Sequence, residues 1–145
     1  MLTSGLKVKD VMKTNVVVIN ADAPVKEAAK LMARHNIGSV VVIEKNEVKG
    51  ILTERDIVRK MVAEEKQANI KVKDIMSHPI VVTAPDVSLE TAAKIMKKNN
   101  VRRLPVIDKK GYIVGIITEN DILRLLPSVL DLIEEKAAAG FFKEE

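Results

Sequence analysis

A threonine and an aspartate stand three positions apart at two places in this chain, in Gly50-Ile-Leu-Thr-Glu-Arg-Asp56 and in Gly115-Ile-Ile-Thr-Glu-Asn-Asp121. Each threonine ends an apolar run typical of a strand and opens a helical pattern, so the pair fits a helix cap. The same groups can also recognise a ligand. The hydroxyl and the free N–H groups can bind an anion, and the carboxylate can accept hydrogen bonds from both ribose hydroxyls. The residues alone leave both interpretations open.

These two strings belong to a longer duplication. Lys7-Val-Lys-Asp-Val-Met12 returns as Lys71-Val-Lys-Asp-Ile-Met76, whereas position 50 returns at position 115, so the offset grows from 64 to 65 residues. The extra residue falls near Gly111. A repeated unit of this size usually cannot bury its apolar face alone. Two copies therefore predict a pseudo-twofold pair that folds as one module, with two related ligand clefts.

Each copy shows the pattern strand, helix, strand, strand, helix, carried by β-branched runs and by apolar residues at helical spacing. In the first copy we expect a strand at Val16–Ile19, a helix at Val25–Asn36, strands at Ser39–Glu44 and Glu47–Leu52 joined by a Lys45-Asn46 turn, and a helix from Thr53 to about Gln67. In the second copy we expect strands at Ile80–Thr83, Arg103–Asp108 and Tyr112–Ile117, and helices at Ser88–Asn100 and from Thr118 onwards.

The strands alternate little between apolar and polar residues, which is typical of a sheet covered by helices. The predicted fold class is α/β (of the α+β type), with two tandem βαββα repeats related by a pseudo-twofold axis. The repeats are expected at residues 7–67 and 71–126, and a helical tail that Pro127 can open is expected at 127–145.

Composition argues against several kinds of protein. The 145 residues are 47% apolar but contain no run long enough for a membrane helix, so we expect a soluble protein of the cytoplasm. Without cysteine we expect no disulfide and no thiolate nucleophile, and the two histidines, His35 and His78, stand in unrelated contexts, so no metal site is expected. The net charge of +4 is spread over a mixed surface, and an anionic partner, nucleotide phosphate or nucleic acid, stays open.

The chain resembles a known family over about residues 7–126. The resemblance is carried by the Asp-(Val/Ile)-Met strings, by the strand Leu104-Pro-Val-Ile-Asp108 and by the two Gly-x-x-Thr-x-x-Asp strings. With the βαββα unit, these residues resemble cystathionine-β-synthase (CBS) domains, and two in tandem resemble a Bateman module. The resemblance implies a non-catalytic regulatory fold, without a required cofactor, that binds AMP, ADP, ATP or S-adenosylmethionine as an energy or metabolite sensor.

The resemblance also implies two clefts, in which the threonine and aspartate of one repeat face the base pocket of the other. The Asp56 cleft would comprise Ile51, Thr53, Asp56, Met76, Pro79, Ile80, Val81, Val101, Arg102 and Arg103. The Asp121 cleft would comprise Met12, Asn15, Val16, Val17, Ile37, Gly38, Ser39, Ile116, Thr118 and Asp121.

The two clefts differ where a phosphate would bind. Arg102-Arg103 in the second copy stands where the first copy has Gly38-Ser39. Guanidinium groups fit phosphate oxygens well, so we expect the Asp56 cleft to be the stronger nucleotide site. The alternative is that the two arginines merely begin a solvent-facing strand. The first copy reads Val40-Val-Val-Ile43 where the family usually has Leu-Pro-Val-Val, a departure that should leave the strand intact.

Two other functions remain as alternatives. A nucleic-acid-binding protein would use the positive charge, but Tyr112, Phe141 and Phe142 are the only aromatic residues available for base stacking. An interaction module with vestigial clefts would keep both aspartates only as helix caps. An enzyme is not expected, because the sequence shows no P-loop, no dinucleotide-binding glycine string and no nucleophile–base pair.

Self-association is also implied by the resemblance, because members of the family often pair into a flat disc of four repeats. We predict a homodimer with the helices Val25–Asn36 and Thr118–Leu126 among its contacts, to which the tail Leu130–Phe142 can add. A separate effector protein is expected to receive the output.

Overall fold

The computed structural model describes residues 5–78, 80–125 and 129–140, and for 129–133 the backbone alone. The first repeat contains α1 (Val8–Val11), β1 (Val18–Asn20), α2 (Val25–His35), β2 (Ser39–Glu44), β3 (Glu47–Thr53) and α3 (Glu54–Ile57), which continues as a π-helical turn (Val58–Val62). The second contains a 3-10 turn (Val72–Asp74), α4 (Leu89–Asn99), β4 (Arg103–Ile107), β5 (Ile113–Thr118) and α5 (Glu119–Leu123), and α6 (Val129–Ala138) follows. The mixed α/β class is confirmed.

The first repeat forms a three-stranded sheet in the order β1-β2-β3, with β1 parallel to β2 and β2 antiparallel to β3. Lys45 and Asn46 have φ values of 52° and 66°, as a two-residue type I′ hairpin turn requires, so the predicted turn is confirmed. The strand expected at Val16–Ile19 lies instead at Val18–Asn20. A run of β-branched residues does not mark where parallel pairing with β2 begins, and this shifted the prediction by two residues.

The strand expected at Ile80–Thr83 does not form, so this prediction is wrong. β4 and β5 make a two-stranded antiparallel sheet, to which Thr83 adds a single parallel bridge. In the first repeat, the Val41 N–H donates to the Val17 carbonyl. Pro105 stands at the position equivalent to Val41 and has no N–H to donate. The ladder loses that bond, and the regular strand is lost with it.

The helix expected from Thr53 to about Gln67 is shorter than predicted. Thr53 is its N-cap, as expected, but the helical turns end at Val62. Glu65 then adopts a left-handed φ of 58°, and the Lys66 N–H donates to a carbonyl five residues back, as in a Schellman-type helix end. The prediction failed here because no glycine or asparagine marks the left-handed position.

Two apolar cores hold the module, and each includes a segment from the other repeat. The first core, around Val25 and Leu52, includes Val72 and Ile75. The second core, around Leu89 and Leu104, includes Val8. We call residues 6–13 the first exchanged segment and residues 70–77 the second exchanged segment. Because each segment packs in the core of the opposite repeat, the two repeats fold as one unit.

Backbone hydrogen bonds fix the two exchanged segments in matching ways. The Val8 N–H donates to the Val87 carbonyl at 2.8 Å, and the Val72 N–H donates to the Ala23 carbonyl at 2.8 Å. The last residue of each segment then forms an antiparallel bridge, to β5 in one case and to β3 in the other. The duplication visible in the sequence is therefore also a duplication of long-range contacts.

Two glycines allow this close approach. A Cβ at Gly50 would lie 2.8 Å from the Ser77 carbonyl oxygen, and a Cβ at Gly115 would lie 2.9 Å from the Lys13 carbonyl oxygen. Both distances are too short for a side chain to fit without movement of the exchanged segment. The glycine before each Thr-x-x-Asp string thus makes room for a backbone.

Exposed ion pairs join each exchanged segment to the opposite repeat. Lys9 Nζ lies 3.0 Å from Asp86 Oδ1, and Lys73 Nζ lies 2.9 Å from Asp22 Oδ1. The hydrogen bond from the lysine, followed by its charge, lowers the pKa of each aspartate. Exposed pairs of this kind contribute little stability. The buried valines, rather than the ion pairs, therefore hold the exchanged segments.

Thr83 is buried in the second repeat, and among the described residues its hydroxyl has no hydrogen-bond partner. The equivalent residue in the first core is Ile19. Because burying an unpaired hydroxyl costs about 1–3 kcal/mol, Thr83→Val is expected to raise the free energy of unfolding by about 1–2 kcal/mol. Urea denaturation measures the change, with the exposed Thr14→Val as control. A loss of stability in Thr83→Val would contradict the unpaired hydroxyl.

Helix α6 (Val129–Ala138) lies within the range 127–145 in which the sequence predicts a helical tail. Pro127, Phe141 and Phe142, which the sequence analysis also assigned to the tail, lie outside the described residues. Within the described part of the chain, no helix combines the length and the apolar character that crossing a bilayer requires.

Candidate functional site

The Thr53–Asp56 pair forms a reciprocal capping box at the start of α3. The Asp56 N–H donates to Thr53 Oγ1 at 3.1 Å, and the Thr53 N–H donates to Asp56 Oδ2 at 3.0 Å. The Thr53 hydroxyl donates to the same oxygen at 3.1 Å. The predicted cap is confirmed. It leaves Oδ1 of a buried carboxylate for other partners.

Two further side chains reach the Asp56 carboxylate. Ser77 Oγ, at the end of the second exchanged segment, lies 3.3 Å from both oxygens. Lys60 Nζ, one helical turn beyond Asp56, lies 3.1 Å from Oδ1 and donates to the Ile75 carbonyl at 3.2 Å. Lys60 balances the buried negative charge, which is otherwise costly to bury. The carboxylate is therefore held in one orientation by Thr53 and Lys60 of the first repeat and by Ser77 of the second exchanged segment.

A cavity of about 510 Å³ lies beside Thr53 and Ser77, between the two repeats. Sites for small molecules usually measure about 300–1,000 Å³, so this volume suits a nucleoside-sized ligand. The cavity is lined by Gly38, Ile51, Thr53, Glu54 and Arg55 of the first repeat, by Ser77, and by Asn100, Val101, Arg102 and Arg103 of the second repeat.

Arg102 and Arg103 bring two positive charges to this cavity. Burial, and then the neighbouring charge of Arg102, lower the pKa of Arg103 below its usual value. Among the described residues, Arg103 has no carboxylate within 4.0 Å, and Arg102 has only Glu119, at 3.9 Å. A bound anion would offset the cost of burying the Arg103 charge and would reduce the repulsion between the Arg102 and Arg103 guanidinium groups.

The Thr118–Asp121 pair forms the same capping box at the start of α5. The Thr118 N–H donates to Asp121 Oδ2 at 2.9 Å, and the Asp121 N–H donates to Thr118 Oγ1 at 3.2 Å. Here Oδ1 lies 3.6 Å from Lys13 Nζ and 3.9 Å from Arg124 Nη1. Lys13 is equivalent to Ser77 in the duplication, so a cation stands where the first cleft has a hydroxyl.

The sequence matches the family model described as CBS domain twice, at residues 8–63 and at residues 72–128. The chain belongs to the CBS domain family. Its two capping boxes, at Thr53 and at Thr118, therefore lie one in each repeat of a tandem CBS pair, and the cavity of about 510 Å³ lies between the two CBS repeats.

Several similar proteins and structures carry CBS domains in their names. The CBS domain-containing protein YhcV of Bacillus subtilis is 37% identical over 115 residues, which are 79% of this chain and 81% of that protein. The CBS domain pair of protein MJ0100, crystallised with 5'-methylthioadenosine and S-adenosyl-L-methionine, superposes with a TM-score of 0.75 at 30% identity, over 83% of this chain and 94% of that one. The hexameric CBS-CP12 protein from bloom-forming cyanobacteria superposes with a TM-score of 0.75 at 34% identity, over 92% of this chain and 78% of that one. The chain is thus a regulatory CBS pair module.

Half of the residues expected in the Asp56 cleft line the cavity, namely Ile51, Thr53, Val101, Arg102 and Arg103. Asp56 stands behind them, bonded to Thr53 and Ser77. Met76 and Ile80 line a separate cavity of about 440 Å³. Val81 packs against the core of the second CBS repeat, and Pro79 lies outside the described residues.

The residues expected in the Asp121 cleft are more scattered. Met12 lies against Gly115 and packs on the second core, whereas Val17 and Ile37 pack on the first. Gly38 lines the cavity of the other cleft, where its carbonyl accepts the Glu54 N–H at 3.0 Å. Asn15 is exposed, and Val16, Ser39, Ile116 and Thr118, of which the last three lie in strands, are half-buried. Asp121 is buried.

Sequence reasoning missed Glu54 and Asn100, which line the cavity, and Ser77, Lys13 and Lys60, which reach the two aspartates. Ser77 and Lys13 each follow the methionine of the repeated Lys-Val-Lys-Asp string, so an alignment of the two copies shows them as equivalent and different. Lys60 is four residues after Asp56, a spacing at which helical side chains meet. Nothing in the sequence shows that the ends of the exchanged segments reach the two aspartates.

Proposed function

We propose that this CBS pair is a non-catalytic regulatory module that binds an adenosine-containing ligand, AMP, ADP, ATP or S-adenosylmethionine, in the Asp56 cleft and senses energy or metabolite levels. One observation carries the proposal. A buried carboxylate, Asp56, is bonded to Thr53 and Ser77, which line a cavity of about 510 Å³ that has Arg102 and Arg103 on the other repeat. This arrangement offers an acceptor for hydroxyls and a binding site for an anion to the same ligand.

Asp56 would recognise the ribose. A carboxylate has about four lone-pair positions; the capping box uses Oδ2 and Lys60 takes one position on Oδ1, so ribose hydroxyls would use the rest of Oδ1, which the Ser77 hydroxyl shares. Ser77, whose hydroxyl can rotate, would donate to or accept from the same sugar. Ile51 and Val101 line the cavity from opposite repeats and would form apolar walls for the base.

Arg102 and Arg103 would bind the charged end of the ligand. Guanidinium groups bind phosphate and carboxylate oxygens through paired hydrogen bonds, so a nucleotide phosphate and the carboxylate of S-adenosylmethionine can both use them. Arg55 lines the same cavity and adds a third positive charge. The complex of the MJ0100 CBS pair with 5'-methylthioadenosine and S-adenosyl-L-methionine supports an adenosine-type ligand for a pair of this kind.

Occupancy would be transmitted through the contact between the repeats. A ligand in this cavity touches both repeats and the second exchanged segment, so it favours whichever arrangement closes around it. A change of state requires this difference in affinity between two arrangements. The output would pass to a separate effector protein, and the module would act in the cytoplasm, where adenine nucleotides are abundant.

Thermal unfolding with adenosine, AMP, ADP, ATP and S-adenosylmethionine tests the proposal. A ligand at 100 times its Kd adds about 2.7 kcal/mol of stability, which is about 5–10 °C in Tm for a domain of this size. Asp56→Asn keeps a cap but loses the negative charge, and it is expected to lose most of the shift, whereas Asp121→Asn is the matched control that keeps it. No shift with any of the five ligands would contradict the proposed function.

We also propose that the module forms a homodimer through the faces of its helices. Val58 is 58% exposed at the end of α3, and its equivalent Leu123 is 52% exposed in α5. Each lies beside a groove between two helices of its repeat, α2 and α3 in one case and α4 and α5 in the other. Two equivalent apolar faces suit a second copy, which would present the same pair, and the hexameric CBS-CP12 protein supports self-association.

Light scattering after gel filtration measures the expected dimer. Val58→Glu together with Leu123→Glu is expected to give a monomer, because two charges per chain would have to be buried without partners. Tyr112→Glu, an exposed apolar residue at the tip of the β4–β5 hairpin, is the control that should remain dimeric. A monomeric wild-type chain at micromolar concentration would refute the dimer.

A further inference from the structure

The two CBS clefts differ in the last residue of each exchanged segment. In the Asp56 cleft this residue is Ser77, whose N–H donates to the Ile51 carbonyl at 2.9 Å. In the Asp121 cleft it is Lys13, whose N–H donates to the Ile116 carbonyl at 2.9 Å. The backbone pairing is the same in both clefts, so the difference lies in the side chain alone.

Ser77 lines the cavity of the Asp56 cleft and meets the Asp56 carboxylate there. Lys13 therefore occupies the position that would line the Asp121 cleft. Its ammonium lies 3.6 Å from Asp121 Oδ1. The lysine side chain is 52% exposed, whereas the aspartate side chain is 5% exposed.

Lys60, the cation beside Asp56, comes from a different element than Lys13 does. Lys60 approaches from one turn further along the same helix and also donates to the Ile75 carbonyl, and it is not among the residues that line the cavity. Arg124, three residues after Asp121, is the corresponding helix-side cation of the second cleft. Among the described residues, each aspartate thus has a cation from its own helix within 4.0 Å, and Asp121 has a second one, which comes from the exchanged segment.

We infer that Lys13 closes the Asp121 cleft to a ribose, so that the module holds one adenosine ligand, in the Asp56 cleft. This inference rests on the proposed function. Ribose hydroxyls need acceptor positions on the carboxylate, and the exchanged segment brings an ammonium to Oδ1 of Asp121 where it brings to Asp56 only the Ser77 hydroxyl, which can rotate to donate or accept. The second cleft also has Gly38-Ser39 where the first has two arginines, so it offers no cation of its own to a phosphate at that point.

Exchanging the two equivalent residues tests the inference. Isothermal titration with adenosine, which needs no phosphate site, is expected to give one site per chain for the wild type and two for Lys13→Ser. Ser77→Lys, which puts an ammonium within reach of Asp56, is expected to weaken the wild-type site by at least about tenfold. Lys9→Ser removes an exposed lysine of the same segment and is the control that should keep one site.

The outcomes separate the inference from the proposed function. Two sites of similar affinity in the wild type, or one site in Lys13→Ser, would overturn the inference and leave the proposed function in place. A weaker second site in Lys13→Ser than in the wild type would show that Lys13 binds the ligand, and it would also overturn the inference. If AMP, ATP and S-adenosylmethionine all fail to bind the wild type, the proposed function fails and the inference with it.

Discussion

Replacing Arg103 by methionine is expected to weaken the binding of AMP by about 10- to 100-fold while leaving the affinity for adenosine almost unchanged. Hydrogen bonds to charged groups contribute about 1.5–3 kcal/mol, and each 1.4 kcal/mol is a factor of about ten in Kd. Adenosine has no phosphate, so it does not use the guanidinium. Methionine keeps the length and the apolar stem of the side chain while removing its donors. Titration calorimetry with both ligands gives the comparison.

The control for this experiment is Arg34→Met, an exposed arginine in the last turn of α2 that does not line the cavity. It removes the same charge from the protein and is expected to leave both affinities within about twofold. An equal loss of AMP and adenosine binding in Arg103→Met would show that Arg103 supports the base pocket or the fold. An unchanged affinity for AMP would remove Arg103 from the phosphate site.

Val8→Asp is expected to unfold the whole chain, although Val8 lies near its beginning. The side chain is fully buried in the core of the second CBS repeat. A buried carboxylate without a partner costs at least about 4 kcal/mol, which is a large part of the 5–15 kcal/mol that stabilises a typical domain. Val72→Asp, the equivalent change in the first core, is expected to have an effect of the same size.

Circular dichroism during urea denaturation measures both variants against the exposed Thr14→Asp, which is expected to be close to wild type. Because each core includes an exchanged segment, the wild type should unfold in one transition. Two separate unfolding transitions in the wild type would contradict the packing of each exchanged segment in the opposite repeat. A Val8→Asp variant in which only the first exchanged segment unfolds, while both repeats stay folded, would contradict it as well.

Much of the architecture follows from local sequence. The Lys45-Asn46 turn, the four strands of the two hairpins and the caps at Thr53 and Thr118 appear as predicted, because each depends on neighbouring residues. The errors occur where a distant residue decides. The run Ile80–Thr83 has the composition of a strand, but Pro105, more than twenty residues later, removes the donor that would pair with it.

The candidate site shows the same division. Thr53, Asp56 and the Arg102-Arg103 pair can be found from motif and charge, and they lie in or beside one cavity. Lys13 and Ser77 could not be found in this way, because their importance depends on the exchanged segments. The Lys-Val-Lys-Asp string reads as a local helical turn, and nothing in its own residues shows that it packs in the opposite repeat.

The exchanged segments also bear on how such a chain could have arisen. A polypeptide with a single copy would lack the segment that completes its own core, since Val72 and Ile75 fill the first core and Val8 fills the second. Such an ancestor would have needed to donate its leading residues to a second molecule and receive the same residues in return. Gene duplication would then have joined the two partners into one polypeptide. After that event the two exchanged segments could change independently. Their last residues, Lys13 and Ser77, now differ.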